Sequence, residues 1–531
     1  MIEQEKFEFL QNLYKTLRKH DEDILKHFCD ENLSDNDYFF YGINSDIFSN
    51  AINVLTNYLS GNLESAGVDL SCRTIIEALV ILHLDAAGQI SDKQKQIYRY
   101  LYAYVDIDNF HSVMTEEAKQ TERVKRVYAD KEKCEKAMME HFGCTEKDLK
   151  NWKIGVDDPC FYLKTSLKDD IRFSKLIEKY PVRNEDDLKM YEFFSLFIHP
   201  RCEMNQQIEN AVMDVRNIYI DNVLNIVYDY LKECKLMLDD EKRPNFDEDF
   251  WYNPLLQNNV HNVKDIEFMF HHLMGQFVKL KDGDDMFTWH FLEKSKYLVM
   301  DMMISESLGF KEHVISTFKS FIEEYAVFHE INSISDMNDF KYAKKCFWCA
   351  SRLQIDSHFQ ELGWKDGTVP ESEIKALYDE YYKEKFGLKQ YKDFYWGLRR
   401  NSLYCLGNDK KSYNRSVRNM IEEVFTDELM SKDVMTLYRI SKDMSHASGY
   451  NFNASEGIID VYYHKAMLCV WQLLNFYIAN HALTLSEHGE ERDVKFVVSC
   501  LKLFAEAEAQ SIKQIYDDFN TPNDKKIIPD A

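Results

Sequence analysis

The sequence predicts an all-α protein built from two related helical bundles in tandem. Of its 531 residues only 17 are glycine and 8 are proline, whereas 32 are tyrosine and 35 are phenylalanine. Few turn-forming residues, combined with long segments of apolar residues at helical spacing, favour helices over sheets. A third observation concerns the halves of the chain, because one sequence pattern closes a predicted helix once in each half.

That pattern is a tyrosine followed eight residues later by a histidine at a helix end. Tyr191 precedes His199 in the first half, and Tyr438 precedes His446 in the second. The differences 438 − 191 and 446 − 199 both equal 247.

Further anchors recur in the same order, at separations between 244 and 246. Short loop insertions would produce this small drift. We therefore predict a duplicated unit of roughly two hundred residues, much longer than a solenoid repeat. The recurring anchors are Ile76-Glu77 with Ile322-Glu323, His83 with His329, Phe142-Gly143 with Phe386-Gly387, Trp152 with Trp396, and Ile177-Glu178 with Ile421-Glu422.

Apolar periodicity predicts the individual helices of the first half and the last helix of the chain. Between the halves, acidic residues with two prolines and no periodicity predict a linker. The predicted helices cover 7–30, 43–59, 70–83, 93–104, 115–141, 168–179, 185–199, 206–237 and 490–519. The predicted divisions are an N-terminal helix (1–40), a first unit (41–237), an acidic linker (238–265), a second unit (266–485), and a C-terminal helix with its tail (486–531).

The net charge and the cysteines indicate the expected environment. With 65 basic and 90 acidic residues the net charge is −25, which opposes binding to bulk nucleic acid or anionic membranes unless a local basic patch exists. The chain begins with charged residues and has no apolar run near the ~20 residues of a membrane span. We expect a cytoplasmic protein with reduced cysteines and no membrane contact.

Candidate chemistry lies in the second closing helix, where Arg439 and His446 are seven residues apart. Here the sequence resembles HEPN-type ribonucleases, helical bundles that close with an arginine, four to six residues and a histidine. The resemblance implies metal-independent RNA cleavage, in which His446 moves a proton and Arg439 stabilises charge on the phosphate. It also suggests a bacterial toxin or phage-defence setting. Ile440 departs from the pattern, since the family usually has a polar residue there. The earlier Arg73-x-x-x-Glu77 helix extends the likeness to uncharacterised bacterial helical proteins.

In the first unit Glu192 occupies the position of Arg439, and a proline follows His199. Tyr191 and His199 are therefore predicted to form a degenerate, structural counterpart of the second motif. HEPN nucleases commonly build one site from two facing motifs. A homodimer is accordingly one way for this chain to complete a site.

A basic run precedes the second motif and is the predicted RNA-binding surface. Between 397 and 418 six basic residues stand against one acidic residue, whereas the corresponding stretch 153–175 has five against four. Tyr404 and Tyr413 could stack on bases. The alternative is a solvated face that pairs with the acidic remainder of the chain. The basic residues are Arg399, Arg400, Lys410, Lys411, Arg415 and Arg418.

A structural interpretation of the motif stays open beside the catalytic one. The tyrosine and histidine recur whether or not the arginine does, so they could bond backbone carbonyls and fix the bundle. The alternative function is a non-catalytic scaffold that binds a protein partner or small ligand. His83 and His329 are expected to be core histidines. No metal site is predicted, because the lone Cys346-x-x-Cys349 has no second pair to complete a zinc site. No cofactor is predicted either, since the sequence has no phosphate-binding glycine loop, nucleophile elbow or Rossmann fingerprint.

Overall fold

In the computed structural model the chain is described at residues 4–28, 34–92, 173–199, 206–236, 286–332, 428–446, 456–480 and 491–520, and at scattered positions between them. Every long element in these ranges is an α-helix, which confirms the predicted fold class. The helices are α1 (Gln4–Phe28), α2 (Asp35–Ser60), α3 (Ala66–Ala86), α4 (Phe173–Lys179), α5 (Asp186–Phe197), α6 (Gln206–Glu233), α7 (Met286–Ser307), α8 (Lys311–Asn332), α9 (Glu428–Met444), α10 (Glu456–Asn480) and α11 (Glu491–Asn520).

Capping residues set the boundaries of the early helices. Ser34 caps α2 by accepting a hydrogen bond from the backbone N–H of Asp37 at 3.2 Å, so this helix begins eight residues before its predicted start. Gly61 ends it in the left-handed conformation, with φ of 73°, close to the predicted end. Ser65 then caps α3 through the N–H of Gly67.

Helices α3 and α8 form the centre of the molecule. Residues 67–81 of α3 and residues 313–328 of α8 are buried without interruption, so both helices are covered on every side. Helix α3 packs against α2, α4, α5, α6 and α7. Helix α8 packs against α7, α9 and α10, and it also contacts α3. The two central helices belong to different predicted units, and their contact brings the closing helices α5 and α9 near one another.

A buried polar network crosses between the halves beside these helices. Asp301 of α7 accepts hydrogen bonds from Asn53 and Asn57 of α2 at 3.3 and 2.9 Å, and from Thr317 of α8 at 2.8 Å. Ser305 donates in the other direction to Asn53 at 3.0 Å. Burial raises the pKa of Asp301 to about 6, although its three hydrogen bonds favour the charged form.

Several sequence predictions concern residues outside the described ranges. The linker and the basic run lie outside the described residues, as do most of the predicted helices 93–104 and 115–141. The division into duplicated units stays a prediction.

His83 was expected in the core, and this is wrong: the last turn of α3 emerges from the bundle and His83 is exposed. His329 is half-buried and stacks on Tyr325 with ring centroids 5.8 Å apart.

Gly67 is expected to be intolerant of a side chain. A Cβ there would lie 1.9 Å from Asp301 Oδ2 and 2.9 Å from Thr317 Oγ1. Gly67→Ala should therefore lower the free energy of unfolding by about 1–3 kcal/mol, the usual cost of overpacking. Ser499→Ala, on the exposed face of α11, is the control and should change it little. Equal unfolding midpoints for the two variants in urea would contradict the close approach.

Stability should depend on pH through Asp301. Between pH 3.8 and about 6 this carboxyl is protonated in the folded state but ionised in the unfolded state, so the folded state binds more protons. Raising the pH through this window should lower the unfolding free energy by roughly 2–3 kcal/mol relative to Asp301→Asn. Urea unfolding of both proteins at pH 4, 5, 6 and 7 measures this difference, in which other titrating groups cancel. A difference that is constant with pH would refute the shift.

Candidate functional site

The histidine of the second half contacts a carboxylate of the first half. Nδ1 of His446, two residues past the end of α9, donates to both oxygens of Glu77 at 3.1 and 3.2 Å. The Tyr191 hydroxyl donates to the same carboxylate at 3.1 Å. Arg73, one helical turn before Glu77, has Nε 3.6 Å from it and donates to the Ser445 carbonyl. We refer to Arg73, Glu77, Tyr191 and His446 as the Glu77 cluster.

The histidine of the first half makes the reverse contact. His199 Nδ1 donates to Glu323 of α8 at 2.9 Å, and the Tyr438 hydroxyl donates to the same carboxylate at 2.9 Å. Lys319, one turn earlier in α8, has its ammonium 3.6 Å from Glu323. Ser320 donates to the Ile198 carbonyl at 3.0 Å. Lys319, Glu323, His199 and Tyr438 form the Glu323 cluster.

The two clusters have the same composition apart from one cation. In each, a carboxylate from a central helix binds a tyrosine from its own half and a histidine from the other half. Arg73 in the first cluster corresponds to Lys319 in the second, and each central helix donates to the backbone carbonyl just before the opposite histidine. Hydrogen bonds thus hold the end of α5 to the second half of the chain and the end of α9 to the first half.

The charges of each cluster affect the pKa values of the other. Burial alone would raise the pKa of Glu323, but Lys319, His199 and the Tyr438 hydroxyl outweigh it and lower the pKa to about 2. Burial lowers the pKa of Lys319, and repulsion by Arg73 and Lys442 adds to the decrease, while Glu323 opposes it. Cations from α3 and α9 therefore act on the ammonium of α8.

His446 responds to both clusters. Burial lowers the pKa of His446, Glu77 opposes this effect, and Arg73 and Lys319 strengthen it. The ring lies nearly parallel to that of Phe173, with centroids 6.1 Å apart. The imidazole is thus held by one carboxylate and one aromatic ring, in the field of two cations.

The histidines lie at the edge of the site and the carboxylates lie beneath them. The side chains of His446 and His199 are 23% and 37% exposed, whereas those of Glu77 and Glu323 are 0% and 4% exposed. A carboxylate on Nδ1 fixes the ring and its tautomer, which leaves Nε2 as the nitrogen suited to proton transfer. His446 thus has the orientation and access that acid–base chemistry requires.

The two residues of the predicted catalytic pair lie on α9 and just past its end. Arg439 is half-buried between Tyr438 and Ile440, and no ion pair joins it to another of the described residues. The arginine that accompanies His446 on Glu77 is Arg73, from the opposite half. The two histidines and the two tyrosines bond carboxylates.

The sequence analysis named Glu77 and Glu323 as repeat anchors, and Glu77 also within the Arg73-x-x-x-Glu77 helix, but assigned neither of them to the site. The signal that could have identified them is a charged pair four residues apart within an apolar helix, Arg73 with Glu77 and Lys319 with Glu323, recurring at a separation of 246. Charged residues on such a helix must find partners when the helix is buried. The six basic residues of the predicted RNA-binding run lie outside the described ranges.

Two features are absent from the described residues. No cluster of three or more histidine, cysteine, aspartate or glutamate side chains in that part of the chain has the geometry to hold a metal ion. None of the helices described is both long and apolar enough to cross a membrane.

Comparison of the chain with known protein families, with curated proteins and with solved structures found no match in any of the three. The resemblance to HEPN-type ribonucleases therefore depends on the motif alone.

The His446–Glu77 contact predicts the titration of the histidine. Because Glu77 raises the pKa of His446 against the effect of burial, Glu77→Gln should lower it further. Carbon-13 NMR of the histidine Cε1 atoms, with His446 assigned through His446→Gln, measures this change. The control is Glu508→Gln, which removes the equivalent carboxylate from His464. A His446 pKa that rises or stays constant in Glu77→Gln would contradict the contact.

Proposed function

We propose that this protein is a HEPN-like, metal-independent ribonuclease whose site lies where its two halves meet. The observation that supports this function best is the Glu77 cluster. Within it, His446 is oriented by a buried carboxylate and lies in the field of Arg73 and Lys319. Cleavage of a phosphodiester by the ribose 2′-hydroxyl needs a group that transfers a proton and cations that stabilise the developing charge, and a histidine beside fixed cations provides both.

The proposed reaction uses this chain's own side chains. Nε2 of His446 takes the proton of the 2′-hydroxyl, whose oxygen attacks the adjacent phosphorus. The bond to the 5′-oxygen of the next nucleotide breaks, and this oxygen takes a proton from water, giving a 2′,3′-cyclic phosphate and a 5′-hydroxyl. Arg73 and Lys319 favour the negative charge that grows on the phosphate. Arg439 stays a predicted phosphate ligand, and the basic run from Arg399 to Arg418 stays the predicted RNA-binding surface.

The arrangement of the clusters also bears on assembly. HEPN nucleases commonly complete a site from two motifs, and here both histidine-bearing ends come from one chain. In this proposal the related halves act as an internal dimer, so cleavage does not require a second molecule. A role in bacterial toxin or phage-defence systems is part of the proposal and derives from the motif resemblance alone.

A non-catalytic scaffold is the second candidate, and one observation favours it. Both carboxylates are almost fully buried, and their contacts fasten helix ends across the two halves. Such a network can serve stability alone, because removing one partner of a buried ion pair costs about 3–5 kcal/mol. The halves would then present a surface to a protein partner or small ligand.

Cleavage of RNA in excess EDTA separates the two functions. Wild-type protein should cleave, and His446→Ala should lose about 10²–10⁴-fold in rate, the usual contribution of a general acid or base. His464→Ala is the matched control, since His464 makes the same Nδ1-to-carboxylate contact, with Glu508 at 2.6 Å, and has similar exposure. It should keep wild-type activity.

The folding of each variant decides how a loss is interpreted. Circular dichroism and urea unfolding should show that His446→Ala is folded under assay conditions. Absence of cleavage by wild-type protein across several structured and unstructured RNAs would exclude the ribonuclease and favour the scaffold. Arg439→Ala tests the remaining motif residue and should reduce the rate without unfolding the chain.

A further inference from the structure

Helix α11 packs mainly against α10 along one of its faces. The rings of Phe504 and Trp471 lie 5.1 Å apart there, and His464 bonds Glu508 at 2.6 Å. Because α11 has 3.6 residues per turn, these contacts with α10 occupy only part of its circumference. Much of the remaining surface is exposed, and it divides into two faces of different chemistry.

One of these two faces of α11 carries no charge. Along it, six residues recur at alternating intervals of four and three, and they form a stripe about 27 Å long. All of them are exposed except Cys500, which is half-buried. We refer to them as the α11 stripe: Phe496, Cys500, Leu503, Ala507, Gln510 and Gln514. The charged face beside the stripe presents Lys495, Lys502, Glu506, Lys513 and Asp517, which are all exposed.

The α11 stripe contains two large apolar side chains that lie in solvent. Phe496 is 47% exposed, and Leu503, two helical turns later, is 64% exposed. A single exposed apolar residue needs no explanation, but two of them on one uncharged stripe mark a surface for interaction. Alternating intervals of four and three are the spacing with which one helix packs along another. The stripe therefore fits a second helix.

A second copy of α11 fits the stripe when the two helices run in opposite directions. A two-fold axis at position 505, the midpoint of the stripe, places residues opposite each other when their numbers add to 1010. Leu503 then lies against the partner's Ala507, a large side chain against a small one, and Cys500 lies against the partner's Gln510. The surface is thus complementary to itself, as a two-fold interface requires.

The charged face is complementary to itself under the same axis. Lys502 lies level with the partner's Glu506, and Lys495 lies level with the partner's Asp517, since the numbers in each pair add to within two of 1010. Opposite charges therefore meet beside the seam, whereas parallel helices in register would bring each charge next to its own copy. This charge pattern favours a second copy of the chain, in antiparallel orientation, as the occupant of the stripe.

We propose that α11 binds α11 of a second copy of this chain, antiparallel and along the α11 stripe, to form a homodimer. The inference does not rest on the ribonuclease function. The Glu77 and Glu323 clusters contain no residue of α10 or α11, so this dimer differs from one that would complete a site from two motifs. Two large apolar residues from each copy make a small interface, so the dimer is weak and depends on concentration.

Sedimentation velocity of the full chain, from low to high micromolar concentration, tests the dimer. Wild-type protein should pass from monomer to dimer over this range. Leu503→Glu should raise the dissociation constant about tenfold or more, because it places a carboxylate from each copy in the seam. The matched control is Ile218→Glu, at an apolar side chain on α6 that is 58% exposed, and it should dimerise like wild type. Circular dichroism should show equal helix content in all three proteins.

Exchange of one charge pair tests the antiparallel register. Lys502→Glu and Glu506→Lys should each weaken the dimer about 3–10-fold, because like charges then meet twice in every dimer. The double variant has opposite charges at both places again, and it should return to within about twofold of wild type. A double variant as weak as the single ones would contradict this register.

A disulfide tests which residues face each other across the seam. Under mild oxidation Gln510→Cys should give a linked dimer through Cys500, which wild type does not give, and Cys500→Ala/Gln510→Cys should not. Linkage that persists without Cys500 would indicate parallel helices and overturn the proposal. A wild-type protein that stays monomeric at every concentration would also overturn it. So would a dimer that Leu503→Glu leaves intact, since its interface would lie on another face.

Discussion

The structure depends on how two carboxylates are neutralised inside a helical core. Glu77 and Glu323 lie on α3 and α8, helices that are buried along most of their length. An ionised carboxylate in such surroundings is strongly destabilising unless charged and hydrogen-bonding groups surround it. Both halves of the chain provide such groups: each carboxylate accepts hydrogen bonds from a histidine of the opposite half and from a tyrosine of its own half. The positions of the closing helices follow from this requirement.

The same constraint recurs in the polar network around Asp301. Asn53 and Asp301 are 248 residues apart and bond one another, Asn57 and Ser305 are 248 apart, and Ser71 and Thr317 are 246 apart. Asn57 donates a hydrogen bond to Asp301, and its counterpart Ser305 donates one to Asn53. Likewise, Asn53 donates to Ser71, and Thr317, the counterpart of Ser71, donates to Asp301. Positions at the separation of the predicted repeat thus make paired contacts across the two halves. A polar centre of this kind favours one relative placement of the halves, because other placements would bury unsatisfied groups.

The helices were predictable because their causes are local. Apolar periodicity and capping residues act within a few turns, and Gly61 ended its helix close to the predicted position. The Tyr191–His199 and Tyr438–His446 patterns also identified, from sequence alone, four residues that belong to the two clusters. The partners of those residues were not predictable, since they come from helices more than a hundred residues away. The presence of Arg73 beside His446 at Glu77 depends on how the halves pack, so the closing motif could not indicate it.

Double-mutant cycles on urea unfolding test the crossed arrangement most directly. The cycles combine Glu77→Gln or Glu323→Gln with His446→Gln or His199→Gln, so that all four pairings are measured. The account predicts coupling of about 1–3 kcal/mol for Glu77 with His446 and for Glu323 with His199, and values near zero for the other two pairings. Coupling confined to Glu77 with His199 and Glu323 with His446 would show that each half neutralises its own carboxylate, and would contradict the account.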